Sequence, residues 1–256
     1  MEEYFAVPKE LVSRHKFISM AADVFLVNGI EFLLTVAIKL NFVTVEHTPV
    51  RTAKSLVKHI KRVLQVYDRA GFTVRYVMMD GEFEKVKELL PTIVCNTTAA
   101  KEHVAESERK IRVVKERNRG VLNTLPFTYI PRRMKIEFIY SVTLWLNAFL
   151  VKSGVSETFS SREILLCWRM DAKNHCRVLP GSYCEVHDKP NPTNTTVSHT
   201  HEGIALGPTG NLQGSVNFYC LNTGQVLKRR AFTEIPMSTA VIAKVNKIGK
   251  NENQGK

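Results

Sequence analysis

Two hydrophobic periods share this chain. Between residues 23 and 46 three short runs, Asp23-Val-Phe-Leu-Val, Glu31-Phe-Leu-Leu-Thr-Val and Phe42-Val-Thr-Val-Glu46, predict strands. Asn28-Gly29 separates the first two, and a type I′ turn needs the positive φ that both residues tolerate, so the sheet begins antiparallel. From Thr52 the period changes. Ala53, Leu56, Val57, Ile60, Val63, Leu64 and Tyr67 fall at helical spacing, with Arg51, Lys54, Lys58, Lys61 and Arg62 between them, which predicts an amphipathic helix stopped by Gly71. Residues 74–79 follow as a largely apolar strand of the buried kind, and a strand–helix–strand crossover implies parallel pairing.

The alternation continues with a short helix over 82–90 closed by Pro91, a short strand over 93–95, and a long charged helix over 102–122. A further helix is expected over 133–151, ended by Gly154, and Ser160-Ser-Arg-Glu163 has the form of a capping box ahead of another. Residues 188–201 read as a loop. Strands at 183–186, 203–206, 216–220 and 226–230, separated by turns such as Asn222-Thr-Gly224, make a small antiparallel β-module, and the last dozen residues are expected to be disordered.

Composition narrows the class. With 256 residues, 44% of them hydrophobic and 23% charged, the chain is globular and long enough for two units. Its five cysteines, at 95, 167, 176, 184 and 220, form no CxxC pair, which argues against a disulfide framework or a four-thiolate zinc site and for an intracellular chain. The longest apolar run, 136–151, carries Glu137, Ser141, Thr143 and Asn147 and is shorter than a membrane span of roughly 20 residues, so it is read as a core helix. The first residues lack the pattern of a signal peptide. Thirty-six Lys plus Arg against 24 Asp plus Glu give a net charge of +12, which favours a polyanionic partner, nucleic acid above all.

Three carboxylates occupy special places in this layout. Asp23 is expected to open the first strand, Asp80 follows the buried fourth strand, and Glu108 lies on the charged helix. Acids from three elements that converge at one sheet edge repel unless divalent metal neutralises them, and two such ions can clamp the attacking and leaving oxygens of a phosphoryl transfer. On the same helix Ile111, Val114, Asn118 and Val121 mark one face. Arg109, Lys110, Arg112, Lys115, Arg117 and Arg119 outnumber Glu116, a surplus suited to a phosphate backbone. His199 and His201 are read as loop residues without a third metal ligand, and Cys95 as a buried structural thiol.

These residues resemble a known family. The run from Glu108-Arg109 through Arg112 and Glu116 to Arg119 is similar to the helix of copia-type retrotransposon integrases that bears the last acid of the D,D,E triad. Asp80 in Met-Met-Asp-Gly-Glu-Phe resembles the second acid and Asp23 in Ala-Ala-Asp-Val-Phe the first. The segments 144–164, 203–208 and 222–230 look like the region that follows the family's catalytic core, whereas its N-terminal His/Cys zinc segment has no counterpart beyond His15.

The resemblance implies an α/β fold: a ribonuclease-H-like mixed sheet flanked by helices, with a C-terminal small antiparallel β-module. The expected divisions are an N-terminal extension at 1–15, the catalytic core at 16–150, a helical connector at 151–180, the β-module at 181–240 and a disordered tail at 241–256. It further implies DNA end processing and strand transfer with two Mg²⁺ or Mn²⁺ ions held by Asp23, Asp80 and Glu108. Element ends and target DNA would be bound by Arg109, Arg112, Lys115, Arg119, Lys228, Arg229 and Arg230, in a homo-oligomer located in the nucleus or a virus-like particle. The alternatives are a non-catalytic DNA-binding remnant of a transposable element and an RNA-cleaving enzyme of the same fold.

Overall fold

The computed structural model describes residues 6–97, 104–152, 154–188 and 199–256. The chain divides into two compact units, residues 1–116 with 143–169 and residues 117–142 with 170–256, rather than into the consecutive blocks expected from sequence. Two of the three boundaries fall inside helices, where no composition change marks them.

The first unit is built on a mixed sheet of five strands ordered β3-β2-β1-β4-β5. β1 (Phe17–Val27) turns at Asn28-Gly29 into β2 (Ile30–Ala37), and both turn residues have positive φ, 49° and 74°, as a type I′ hairpin demands. β3 (Val43–His47) completes the antiparallel meander. Before it lies the short helix α1 (Lys9–Arg14), which has no buried residue to announce it. The Thr52 hydroxyl accepts from the Ser55 N–H and starts α2 (Ala53–Arg69), which crosses over to β4 (Thr73–Met79), parallel to β1. A 3₁₀ turn (Gly81–Phe83), the single-turn helix α3 (Glu84–Lys87) and β5 (Val94–Thr97), parallel to β4, follow. The helix expected over 82–90 is thus a 3₁₀ turn running into a single α-turn that ends at Lys87.

Alternation decides the two faces of this sheet. Ile18, Met20, Ala22, Leu33, Val74, Val77 and Met79 join Leu56, Ile60, Val63 and Tyr67 of α2 in one core, so the odd positions of β1 face the other way. Two further helices are long: α4 (Ala105–Thr124) and α5 (Arg132–Ala148). The expected start of α4 at Glu102 lies outside the described residues. In α6 (Ser161–Leu166) the capping box is present, with Ser160 and Glu163 exchanging side-chain and backbone bonds.

The second unit holds an antiparallel sheet ordered β10-β6-β7-β8-β9, from β6 (Tyr183–His187), β7 (Thr200–Pro208), β8 (Val216–Cys220), β9 (Val226–Arg229) and β10 (Phe232–Glu234). Thr200 and His201, expected in a loop, belong to β7. A one-turn helix, α7 (Ala172–His175), precedes the sheet. The tail expected to be disordered is instead helix α8 (Thr239–Asn251). Its Val241 and Val245, four residues apart, pack with Phe127, Ile130, Phe138, Ile204 and Tyr219, with Ile242 beside them, which is enough burial to order a helix otherwise rich in lysine and asparagine.

Candidate functional site

The register of β1 against β4 brings the first two acids together. Ala22 pairs with Met79, so Asp23 and Asp80 are the next residues of two neighbouring parallel strands, whose separation is about 4.8 Å. Asp23 is the seventh residue of β1, not its opening, because the strand begins at Phe17. It thus lies inside β1, level with the carboxyl end of β4. Asp80 stays extended (φ −70°, ψ 159°) and caps the 3₁₀ turn, its Oδ1 accepting from the Gly81 N–H at 2.6 Å. Asp23 Oδ1 accepts from the Val24 N–H at 2.7 Å. Both carboxylates are half-buried, and each is oriented by the backbone amide that follows it.

Glu108 belongs to α4, another element of the same unit. The Lys115 ammonium lies 5.7 Å from the centre of the Phe25 ring, and Phe25 shares the sheet face of Asp23. Glu108 is two turns before Lys115 on the same stripe of α4, roughly 10 Å away along the axis, and is exposed. Among the described residues no three His, Cys, Asp or Glu side chains form a group able to hold a metal ion. The donors of Asp23 and Asp80 are hard oxygens of the kind Mg²⁺ or Mn²⁺ takes, so the pair fits such a cation.

The basic residues divide by exposure. Arg109, Arg112 and Arg119 are exposed on α4, while Lys115 is engaged with Phe25. Lys110, half-buried, has its pKa lowered first by burial and then by the neighbouring Arg109. In the second unit Lys228 and Arg230 are exposed, but Arg229 bonds to Asp188 at 3.2 Å, and Asp188 also holds His201 at 2.7 Å. That pairing gives His201 a structural partner. Cys95 is buried and its thiol is pushed up by burial, which fits an inert strand residue.

Sequence reasoning passed over two residues that shape these units. Asn147, a polar residue inside an apolar run, bonds the backbone of β3, and Lys135 is wholly buried with its ammonium on the Gly255 carbonyl. A polar residue at a core position of a helical repeat is the signal for both.

No family model matches the chain, and no curated protein matches it either. Among solved structures it is similar to the catalytic core domain of BIV integrase, at 16% identity and a TM-score of 0.42, over 58% of this chain and 93% of that one.

Proposed function

We propose that this chain is an integrase-like polynucleotidyl transferase that acts on DNA, with a ribonuclease-H-like core in its first unit. One observation carries this reading: the order β3-β2-β1-β4-β5, three antiparallel strands and then two parallel ones, sets Asp23, within β1, beside Asp80, the residue just past the carboxyl end of β4. Ligands of open α/β sheets are taken at the carboxyl ends of their strands. The sequence resemblance of the Asp23, Asp80 and Glu108 segments to copia-type integrases supports the same assignment.

In this reading Asp23 and Asp80, with Glu108 as the third acid that the resemblance implies, would hold the divalent cations. A bound Mg²⁺ or Mn²⁺ supplies charge neutralisation at the phosphodiester and a more acidic water. The protein's own part is positional. The Val24 and Gly81 amides hold the two carboxylates in place, while Arg109, Arg112 and Arg119 take phosphates along α4. Element ends and target DNA are the partners, and the nucleus or a virus-like particle is the place of action. Among the described residues no helix is long and apolar enough to cross a membrane.

A second reading is a DNA-binding relative without turnover. The two are told apart by strand transfer from a duplex with a recessed 3′ end into a plasmid, with Mg²⁺ or Mn²⁺. Product from the wild type and none from Asp80→Asn supports the transferase. Equal signal from both removes it, and duplex binding without product from the wild type establishes the second reading.

A further inference from the structure

At the opposite end of β1 from Asp23, about 20 Å along the strand, the sheet leaves aromatic side chains in the open. Phe17 is 50% exposed and Tyr76 51%. They share a face: Ser19 pairs with Tyr76, and Phe17 lies two residues before Ser19, so both rings point away from the α2 core into which Ile18 and Val77 turn. Val94, 60% exposed, pairs with Tyr76 on the edge strand β5 and extends the same row. A β-bulge between Ile18 and Ser19 displaces Arg75 from the ladder, and its guanidinium lies 3.2 Å from the centre of the Phe17 ring. The Lys16 ammonium is 5.9 Å from the same centre.

Exposed rings on a sheet cost hydrophobic free energy, and here they come with cations laid against them. We propose that Phe17 and Tyr76 form a stacking platform for the unpaired bases of a single-stranded nucleic acid, with Arg75 and Lys16 contacting its phosphates. Aromatic rings and guanidinium planes both stack on bases without regard to sequence, and adjacent cations follow the backbone. Charge complementarity selects this occupant over a second copy of the chain, since two such faces brought together would oppose their own cations. The surroundings are positive as well: the imidazole of His15, next to Lys16, has its pKa lowered first by burial and then by the charges of Lys39 and Arg14. The platform needs neither Asp23 nor Asp80, and it is separate from the arginines of α4.

Fluorescence anisotropy with a labelled oligo-dT and a duplex of equal length tests the assignment on the full chain. The Phe17→Ala/Tyr76→Ala variant replaces two half-exposed side chains, and an unchanged thermal transition verifies that it folds. It should lose single-strand affinity by roughly tenfold or more and keep its duplex affinity, because each stacked base is worth about one such factor. Arg75→Ala should flatten the single-strand salt slope by about 0.7 for one phosphate contact. Arg112→Ala/Arg119→Ala should weaken duplex binding and retain the oligo-dT preference, which separates this platform from the proposed DNA track. Unchanged oligo-dT affinity in the double aromatic variant overturns the proposal, as does equal loss on both nucleic acids. So does a wild type that sediments as a dimer while the variant is a monomer, which would make the face an interface between copies.

Discussion

The side-chain amide of Asn147 takes the place of a missing strand beside Val43: its Oδ1 accepts from the Val43 N–H at 2.8 Å and its Nδ2 donates to the Val43 carbonyl at 2.7 Å. β3 is the outer strand of its sheet, and its first residue is buried, so these two backbone groups have no ladder partner and no water. One planar amide satisfies both. Asn147→Ala orphans a buried donor and a buried acceptor, and should destabilise the first unit by about 2–4 kcal/mol, read as a lower midpoint in urea at unchanged slope. Asn147→Asp should not rescue it, because a carboxylate lacks the donor that the carbonyl needs.

Two helical glycines should respond in opposite directions to alanine. A Cβ on Gly249 of α8 would lie 2.7 Å from the Ile130 nitrogen and 2.8 Å from the Tyr129 carbonyl carbon, both backbone atoms. Close approach there lets Asn246 accept from the Thr128 and Tyr129 amides, so the added methyl pushes a whole hydrogen-bonded segment away. Gly249→Ala should cost more than about 2 kcal/mol. Gly120 of α4 meets nothing within 4 Å, and Gly120→Ala should stabilise by roughly 0.5–1 kcal/mol through helix propensity alone. Thermal melts of the two variants should therefore move apart on either side of the wild type.

Local chemistry made much of the first unit legible. Asn28-Gly29 dictated the hairpin, Thr52 the start of α2, and Ser160 with Glu163 the cap of α6. The start of β1 was hidden because Phe17–Ala22 mixes small residues with large and shows no clean alternation; both its faces are partly buried. Asp23 was therefore recognised by its neighbours while its place in the strand was misjudged. The pairing of Asp23 with Asp80 depends on a parallel register that no local pattern encodes. Helix α8 is not legible because its lysines and asparagines mask Val241 and Val245, whose burial is supplied in part by Phe127, Ile130 and Phe138, more than a hundred positions earlier in the chain.

Lys135 should give the second unit an unusual alkaline profile. Burial lowers its pKa from 10.5 to about 8, although its ammonium donates to the Gly255 carbonyl. The unfolded chain keeps this proton up to 10.5 while the folded one releases it near 8. The unfolded state thus binds more protons across that window, and stability rises with pH by at most about 1.4 kcal/mol per unit. Cys184 acts oppositely: burial raises its thiol from 9.0 to about 12, so the unfolded state loses the proton first and stability falls above 9. Lys135→Met isolates the first effect. In urea titrations from pH 7 to pH 9 the wild type should gain on the variant; parallel curves would show the lysine titrating normally.

The arginines of α4 test the DNA track independently of turnover. Arg112 and Arg119 are seven residues apart, two turns of one helix, and both are exposed, which spaces them roughly 10 Å apart along the axis. Each phosphate that they neutralise releases condensed counterions, so duplex affinity should fall steeply with salt and depend little on sequence. Arg112→Ala/Arg119→Ala should lower the log–log salt slope by about 0.9 per lost contact and weaken binding most at low ionic strength. Lys115→Ala supplies the contrast, since its ammonium is spent on the Phe25 ring: it should cost stability more than affinity, by about 0.5–1 kcal/mol. If the double arginine variant keeps both the affinity and the slope of the wild type, α4 presents an ordinary solvated face and the duplex is bound elsewhere.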